Sequence, residues 1–313
     1  MLDWYRITLR LAAPTPSPWH ADTIFGHLCW ALAHVEGPDL LAVFLGLFAL
    51  DAPLLVVSNG FPGDLLPRPL LTAHRPERPA DLAAAREAFR QAKELRESAW
   101  LSPEEFERAR RGEPFQPVPR RPFESGVTLH AQINRLTGTT GPAGTLFAVE
   151  ETALAKELDG RITVYALVDP GFVAGLRRCL DYLVATGYGK RKSVGYGAIA
   201  EARLEPFAGF PPVEGQNGFV SLSNFVPAAG DPARGAWGTL VKRGRLGEEY
   251  AAAGNPFKRP VVMLAAGSCL YDSPVRPYYG RLVPGVHPDF PEVVQCGLAL
   301  AVGMRLPADE EPE

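Results

Sequence analysis

The alternation between strand-like and helix-like hydrophobic periods is the feature that most restricts what this chain can fold into. Residues 2–12 alternate between polar and apolar side chains, with Ile7 and Leu9 on one face, as in a half-buried strand. Residues 22–36 then repeat apolar side chains every three or four positions, which predicts a helix capped by Asp22. Because the 313 residues include 31 Gly and 31 Pro, short elements joined by many turns are expected.

Further strands are predicted at 52–58, 161–169 and 198–204, and a second helix begins at Pro170. The resulting order is strand, helix, strand, insertion, strand, strand, helix, strand. This order matches a ferredoxin-like βαββαβ unit with an insertion over about residues 60–145. The fold class predicted for the chain is α+β.

The insertion combines two helices, an irregular stretch and a hairpin. A charged helix is predicted over 81–99, and the capping box at residues 102–105 starts a second helix. Residues 113–124 read EPFQPVPRRPFE, which has too many Pro residues for regular structure, so this stretch is either mobile or clamped by a partner. The alternating segments 127–136 and 146–150 then predict a long β-hairpin.

A Pro- and Gly-rich stretch at 206–218 predicts the boundary between two domains. The N-terminal domain covers residues 1–206, and a C-terminal domain of α+β type covers 207–313. The strands predicted in the second domain lie at 219–226, 238–242, 261–265 and 297–302, with a short helix at 248–253.

Charge, cysteines and hydropathy exclude several classes of protein. The net charge of −3 means that any binding of nucleic acid depends on a local basic patch. The four Cys include no CxxC pair, so we expect buried, reduced thiols in a cytoplasmic protein, with no metal or cofactor. The most apolar run, at 40–50, is too short to span a bilayer, and the N-terminus lacks the pattern of a signal peptide.

The best candidate for a binding site is the sequence GYGKRKSVGYG at 187–197, which lies before the last strand of the first domain. Glycines let a backbone approach a phosphate and offer N–H groups to it, and three cations neutralise the charge. Tyr188 and Tyr196 are predicted to stack on bases. The alternative is a solvated Gly-rich turn. The candidate RNA contacts in this loop are Gly187, Gly189, Lys190, Arg191, Lys192, Ser193, Gly195 and Tyr196.

A second basic group follows the domain boundary, and a third lies on or near the predicted hairpin. The candidate RNA contacts of the second group are Lys242, Arg243, Arg245, Lys258 and Arg259. Those of the third group are Arg120, Arg121, Asn134 and Arg135. Clustered cations would provide the local patch that RNA requires, whereas an ordinary charged hairpin is the alternative for the second group.

His20, His27 and His34 are spaced seven residues apart. Seven residues of helix rise about 10 Å, so the three side chains cannot bind one metal ion. The three residues are therefore interpreted as histidines that lie on a polar face or are partly buried. His20 is in addition a candidate RNA contact, because it directly precedes the helix, near Asp22, where it could act as a general base for attack by an RNA 2′-hydroxyl. No second acid or nucleophile has a recognisable spacing.

Several of these segments together resemble the RAMP superfamily of CRISPR proteins. The loop at 187–197, after a helix and before a strand, is similar to the C-terminal Gly-rich loop of that superfamily. Five further segments, in family order, resemble more narrowly the family formed by the fourth subunits of type III-A CRISPR Csm complexes. They are HADTIFGHLCWAL (20–32), LLVVSNGFPGDLLPRP (54–69), HAQINRLTG (130–138), VKRGRLGEEYAAAGNPFKRPVVMLAAGS (241–268) and VQCGLALAVGM (294–304).

The resemblance implies two ferredoxin-like (RRM-like) units, the second one degenerate, in a non-catalytic, RNA-binding ribonucleoprotein subunit of antiviral defence. Such subunits cap the 5′ repeat-derived tag of crRNA and bridge the large polymerase/cyclase-like subunit to the backbone RAMP subunits. Their long hairpin is a thumb that wedges between guide and target RNA, and part of about 111–144 is similar to it. In the backbone subunit a catalytic Asp lies between the first strand and the first helix. Here Asp22 begins the helix, so target cleavage is not expected.

Two alternatives stay open at this point. The first is a RAMP endoribonuclease that processes CRISPR precursor RNA with His20 as general base, although the long insertion and the order of the motifs argue against it. The second is an α+β scaffold whose basic loops grip a protein neighbour instead of RNA, which the near-neutral charge allows. RNA crosslinking within the assembled complex would separate this scaffold from an RNA-binding subunit.

Overall fold

The computed structural model describes residues 1–71, 86, 99–118, 121–131, 133–140, 146–252 and 254–308. Within these residues the chain is a mixed α/β protein with several small antiparallel sheets, which confirms the predicted α+β class. Most of the helix predicted at 81–99 lies outside the described residues, and so does Arg120.

Short strands predominate, as the content of Gly and Pro predicts. The described strands are β1 Asp3–Leu11, β2 Leu55–Val57, β3 Phe61–Pro62, β4 Leu66–Pro67, β5 Trp100–Leu101, β6 Phe123–Ala131, β7 Leu146–Leu154, β8 Arg161–Val168, β9 Ile199–Pro206, β10 Gly218–Ser221, β11 Gly235–Ala236, β12 Thr239–Lys242, β13 Val261–Leu264, β14 Cys269–Tyr271, β15 Tyr278–Val283 and β16 Gln295–Met304. The described α-helices are α1 Ala21–Glu36, α2 Pro38–Ala49, α3 Pro103–Arg110 and α4 Val173–Thr186. Short 3-10 helices lie at Lys156–Leu158, Pro170–Phe172, Lys192–Val194 and Glu248–Ala252. None of the helices in the described ranges is long and apolar enough to cross a membrane.

The first sheet has the order β2-β8-β1-β9, and β3 is a further partner of β8. Every neighbouring pair is antiparallel. β1 lies inside the sheet, and its alternating pattern places Ile7 and Leu9 in the core, where both are almost wholly buried. The helices α1 and α4 pack against each other, and their apolar stripes belong to the same core as the sheet.

The second sheet is also antiparallel and has the order β11-β14-β10-β16-β15. Its long strand β16 is almost continuously apolar and buried, since α1 and β2 of the N-terminal part pack against it. One hydrophobic core therefore contains side chains from both sides of the linker at 206–218, such as Leu32 and Leu300. The division into two domains stays a prediction.

The predicted hairpin forms as a separate two-stranded sheet, in which β6 and β7 pair over all nine residues of each strand. β6 begins inside the stretch 113–124, so that stretch is not irregular throughout, as was expected from its Pro content. Val127 and Leu129 of β6 are exposed although they are apolar, whereas Val149 on the other face is buried. The hairpin therefore packs on the protein through one face and exposes the other.

The start of the chain departs from the predictions at two points. α1 has His20 at its N-cap, and Asp22 does not cap it. Instead, the Asp22 carboxylate is turned into the protein, where it binds Lys242 and Gln295. Most of the apolar run at 40–50 lies in the helix α2. The sequence did not predict this helix, because the run is apolar throughout and lacks the alternation of polar and apolar faces that indicates a helix.

Candidate nucleic-acid interface

The Gly-rich loop lies beside the segment that connects β1 to α1. Leu11 at the end of β1 pairs with Ile199 at the start of β9. Because these strands are antiparallel, residues 187–197, which precede β9, lie next to residues 12–20, which follow β1. The sheet order thus brings the predicted loop and His20 to the same end of the first sheet.

Backbone hydrogen bonds fix both ends of this loop. Gly187 caps the C-terminus of α4: its φ is 79°, and its N–H donates to Leu183 O at 2.8 Å. The N–H of Tyr188 donates to Gly197 O at 2.9 Å, so the two ends of the loop meet. A Cβ at Gly197 would overlap the Tyr188 carbonyl oxygen, and Gly197 has a φ of 62°. Glycine is therefore required there by space and by conformation.

Side chains from neighbouring elements hold the middle of the loop. The N–H of Gly189 donates to Nε2 of His27 at 2.9 Å, and the N–H of Lys190 donates to Oγ of Ser17 at 2.8 Å. Burial, followed by the charge of Lys192, lowers the pKa of His27 to about 4. His27 is therefore neutral at pH 7, and its Nε2 can accept the bond from the loop.

The tip of the loop remains open to solvent. The side chains of Lys190, Arg191 and Ser193 are exposed. The guanidinium of Arg191 lies 4.8 Å from the centroid of the Phe147 ring on β7. The tip therefore presents two cations and a hydroxyl next to the hairpin.

The two tyrosines of the loop both make contacts inside the protein. Tyr188 is wholly buried, because its ring stacks on Trp19 with 3.8 Å between centroids and its hydroxyl donates to Pro18 O at 2.7 Å. Stacking of a base on Tyr188 was therefore a wrong prediction. Tyr196 is nearly buried, and its hydroxyl is hydrogen-bonded to Nε2 of His130 on β6 at 2.7 Å. Tyr196 thus joins the loop to the hairpin, and its contact with RNA stays a prediction.

Lys192, the third cation of the loop, has an anionic partner within the protein. Its Nζ lies 2.5 Å from Oε1 of Glu248, at the start of the 3-10 helix Glu248–Ala252. The side chains of Lys192 and Glu248 are 23% and 24% exposed. This half-buried ion pair joins the Gly-rich loop to the segment that carries the second basic group.

Lys242 of the second group, at the end of β12, lies beside the first residues of α1 and also has an anionic partner. Its Nζ donates to Oδ1 of Asp22 at 3.1 Å and to Oγ1 of Thr23 at 2.8 Å, and lies 3.3 Å from Nδ1 of His20. Gln295 of β16 donates to Oδ2 of Asp22 at 2.6 Å. The Asp22 side chain is 2% exposed and that of Lys242 is 17% exposed. This buried cluster ties α1 to β12 and β16.

His20 is a member of the same cluster. Burial, followed by the charge of Lys242, lowers its pKa to about 4. A general base works best when its pKa is near the working pH, so His20 is a weak base in this position.

The remaining cations of the second group divide by residue type. Lys258 is held inside, since its Nζ donates to Val294 O at 2.9 Å and to Oε1 of Gln295 at 3.3 Å, and burial lowers its pKa. Arg243, Arg245 and Arg259 are exposed. The arginines of this group, and not its lysines, are therefore open to an anion.

The third group lies on the hairpin. Arg121 precedes β6, Arg135 lies beyond its end, and both are exposed. The side chain of Asn134 shapes the turn, because its Oδ1 accepts from Leu136 N–H at 2.9 Å. The Gly-rich loop contacts the hairpin at His130 and Phe147, next to the turn end of the paired strands, and Asn134 and Arg135 lie beyond them in the connection between the strands.

Several residues that shape this surface were not predicted from the sequence. They are Ser17, His27, His130, Phe147 and Glu248. His27 alone had a signal, its place in an apolar helix, which is typical of a partly buried histidine. The others contact partners that are remote in sequence, such as the Lys192 partner of Glu248, 56 residues away.

No protein-family model matches the chain, and no curated protein sequence matches it. Its fold, however, is similar to chains of solved CRISPR assemblies. A Csm1–Csm4 cassette in complex with pppApA matches at 19% identity and a TM-score of 0.63, over 98% of this chain and 100% of that chain. The cassette in complex with AMPPNP matches at 19% identity and a TM-score of 0.64, over the same shares. A Csm3–Csm4 subcomplex of the type III-A interference complex matches at 12% identity and a TM-score of 0.55, over 97% and 99%.

These likenesses extend over almost the whole chain, while the sequence identity is low. They show that the chain has the fold of Csm4 chains. The resemblance to the fourth subunit of the type III-A Csm complex, which five sequence segments predict, is confirmed at the level of the fold.

Proposed function

We propose that this chain is a non-catalytic, RNA-binding subunit of a type III-A CRISPR effector complex. In that role it caps the 5′ repeat-derived tag of crRNA and bridges the large polymerase/cyclase-like subunit to the backbone RAMP subunits. The observation that carries the proposal is the likeness in fold to a Csm1–Csm4 cassette over 98% of the chain. The five sequence segments in family order are independent support.

The protein partners are proposed from the same likeness. The solved neighbours pair Csm4 with Csm1 in one assembly and with Csm3 in another. A large subunit similar to Csm1 and a backbone subunit similar to Csm3 are therefore the proposed neighbours of this chain.

The first sheet supports a ferredoxin-like unit. Strands β1, β2, β8 and β9 are the first to fourth of that unit, and α1 and α4 follow the first and the third. Their order in the sheet, fourth, first, third and second, suits a βαββαβ unit whose strands all pair antiparallel. The hairpin β6–β7, inserted between the second and third strands, is the proposed thumb.

The exposed cations support an RNA path over the Gly-rich loop and the second basic group. The side chains proposed to contact phosphates are Lys190, Arg191, Ser193, Arg243, Arg245 and Arg259. Such contacts hold and orient a strand without reading its bases. They also provide the local patch that a chain with a net charge of −3 needs in order to bind RNA.

The cluster around Asp22 supports a non-catalytic role. Its carboxylate is engaged by Lys242 and Gln295, and the pKa of His20 is lowered to about 4. An endoribonuclease with His20 as general base would need that ring near a 2′-hydroxyl and with a pKa closer to 7. The processing enzyme is therefore the alternative that the first experiment has to exclude.

The experiment mixes the purified chain with end-labelled RNA that carries a CRISPR repeat, with and without divalent metal. We expect intact RNA that is retained only when the 5′ tag is present. A discrete product within the repeat, absent with His20→Ala, would overturn the proposal in favour of a processing nuclease.

The same assay is repeated with a large and a backbone subunit added, because both are proposed neighbours of this chain. Co-purification of the three proteins with tagged RNA is the expected result. A chain that joins neither partner and retains no tagged RNA would refute the proposed function.

A further inference from the structure

The turn that carries Glu248 is fastened to the protein by contacts outside the Gly-rich loop. Two residues after Glu248, the Tyr250 ring packs edge-on against Trp30 of α1, with 5.6 Å between centroids. The same ring stacks on Phe290 at 4.5 Å, and its hydroxyl donates to Oε1 of Glu292 at 2.8 Å. The position of the turn is therefore determined without Lys192.

Glu248 itself has a backbone conformation that L residues rarely adopt. Its φ is 48°, in the left-handed region that favours glycine. The residue before it is Gly247, and a glycine would adopt such an angle with less conformational strain. The conformation instead belongs to a residue whose carboxylate lies 2.5 Å from Nζ of Lys192.

Lys192 stands among the exposed groups that are proposed to bind RNA, since Arg191 and Ser193 flank it. The carboxylate of Glu248 engages its ammonium as a phosphate oxygen would. Because the pair is half-buried, salt screens this attraction less than it would on an open surface. A strand of RNA that uses all three cations of the loop must therefore displace Glu248.

We propose that Glu248 is an autoinhibitory contact of the Gly-rich loop. It neutralises Lys192 in the free protein and so lowers the affinity of the loop for single-stranded RNA. This inference rests on the proposed binding of RNA by the loop. The loop then favours RNA strands that other contacts have already positioned over RNA strands that contact only the loop.

The test compares Glu248→Gln with Glu249→Gln in the full chain. Both variants remove one negative charge at adjacent positions, but the Glu249 side chain is 67% exposed and lies 4.0 Å from His34 instead. Anisotropy of labelled single-stranded RNA with the 5′ tag, at about 50 to 200 mM salt, gives the affinity and its salt dependence. Glu248→Gln should bind about three- to tenfold tighter, with a log–log slope steeper by about 0.7. Glu249→Gln should stay within about twofold of the unmodified chain.

Arg191→Ala separates failure of this inference from failure of the proposed function. If Arg191→Ala weakens binding and Glu248→Gln leaves it unchanged or weaker, the inference is wrong and the loop still binds RNA. If neither variant changes binding, both ideas are wrong. Thermal unfolding of Glu248→Gln is measured alongside, and a lower melting temperature together with weaker binding would show that Glu248 only braces the loop.

Discussion

Asp22→Ala removes the carboxylate on which two buried donors converge. The Lys242 ammonium loses an oxygen at 2.9 Å, and Nε2 of Gln295 loses one at 2.6 Å. Removing one partner of a buried ion pair costs about 3 to 5 kcal/mol, because the other charge stays buried. Since Lys242 is 17% exposed and keeps Thr23 and His20 as neighbours, we expect a loss near the lower end, about 3 kcal/mol.

Urea unfolding measures this loss as a lower midpoint at an unchanged m value. Asp39→Ala is the matched control, because Asp39 lies in the first turn of α2 and is exposed, and it should change the free energy of unfolding by less than about 0.5 kcal/mol. Adding Lys242→Met to Asp22→Ala should recover part of the loss, since that variant buries no unpaired charge. Equal midpoints for Asp22→Ala and Asp39→Ala would refute the reasoning.

Three further predictions concern pH, the loop and its cations. The pKa values of His20 and His27 fall from 6.5 to about 4 on folding, so the unfolded chain binds more protons between these values. Urea midpoints should therefore decrease as the pH falls through this window, and His27→Gln should flatten the decrease; a slope unaffected by His27→Gln would count against this assignment. Gly197→Ala should lower the melting temperature, because its Cβ overlaps the Tyr188 carbonyl oxygen, and an unchanged melting temperature would contradict this account of the loop. Replacing Lys190, Arg191 and Lys192 with Ala should weaken RNA binding and reduce its salt slope by about 0.7 per lost phosphate contact, whereas an unchanged slope would exclude the loop from the RNA path.

Elements with a long, regular hydrophobic period could be predicted from the sequence. β1, β8 and α4 form close to their expected bounds. β1 and α4 each bury one face in the core, and β8 is buried on both faces. α2 could not be predicted, since its run is apolar on every side and has no period. The short strands β14 and β15 were also missed, because their pairing with β10 and β16 determines them more than their own few residues do.

The candidate site could be predicted only in part, for the same reason. Its glycines and cations are contiguous in sequence, so the loop was visible as a motif. The sequence did not show which cations have an anionic partner inside the protein, because such partners are remote: Lys242 binds Asp22 at a separation of 220 residues. The burial of Tyr188 likewise depends on Trp19, which no local pattern connects with the loop.

Three of the four lysines in the Gly-rich loop and the second basic group bind oxygens of the protein, whereas the arginines of both segments are exposed. Lys192, Lys242 and Lys258 each give their ammonium to oxygens of the protein. A compact ammonium with three donors suits a site where several oxygens converge. The exposed arginines of the Gly-rich loop and the second basic group are Arg191, Arg243, Arg245 and Arg259. A planar guanidinium stacks on aromatic rings, as those of Arg191 and Arg245 do on Phe147 and Phe257, and keeps paired donors free for a phosphate. In a chain with a net charge of −3, these three lysines therefore stabilise the structure of the site, and Lys190 and the exposed arginines supply the charge for the proposed contact with RNA.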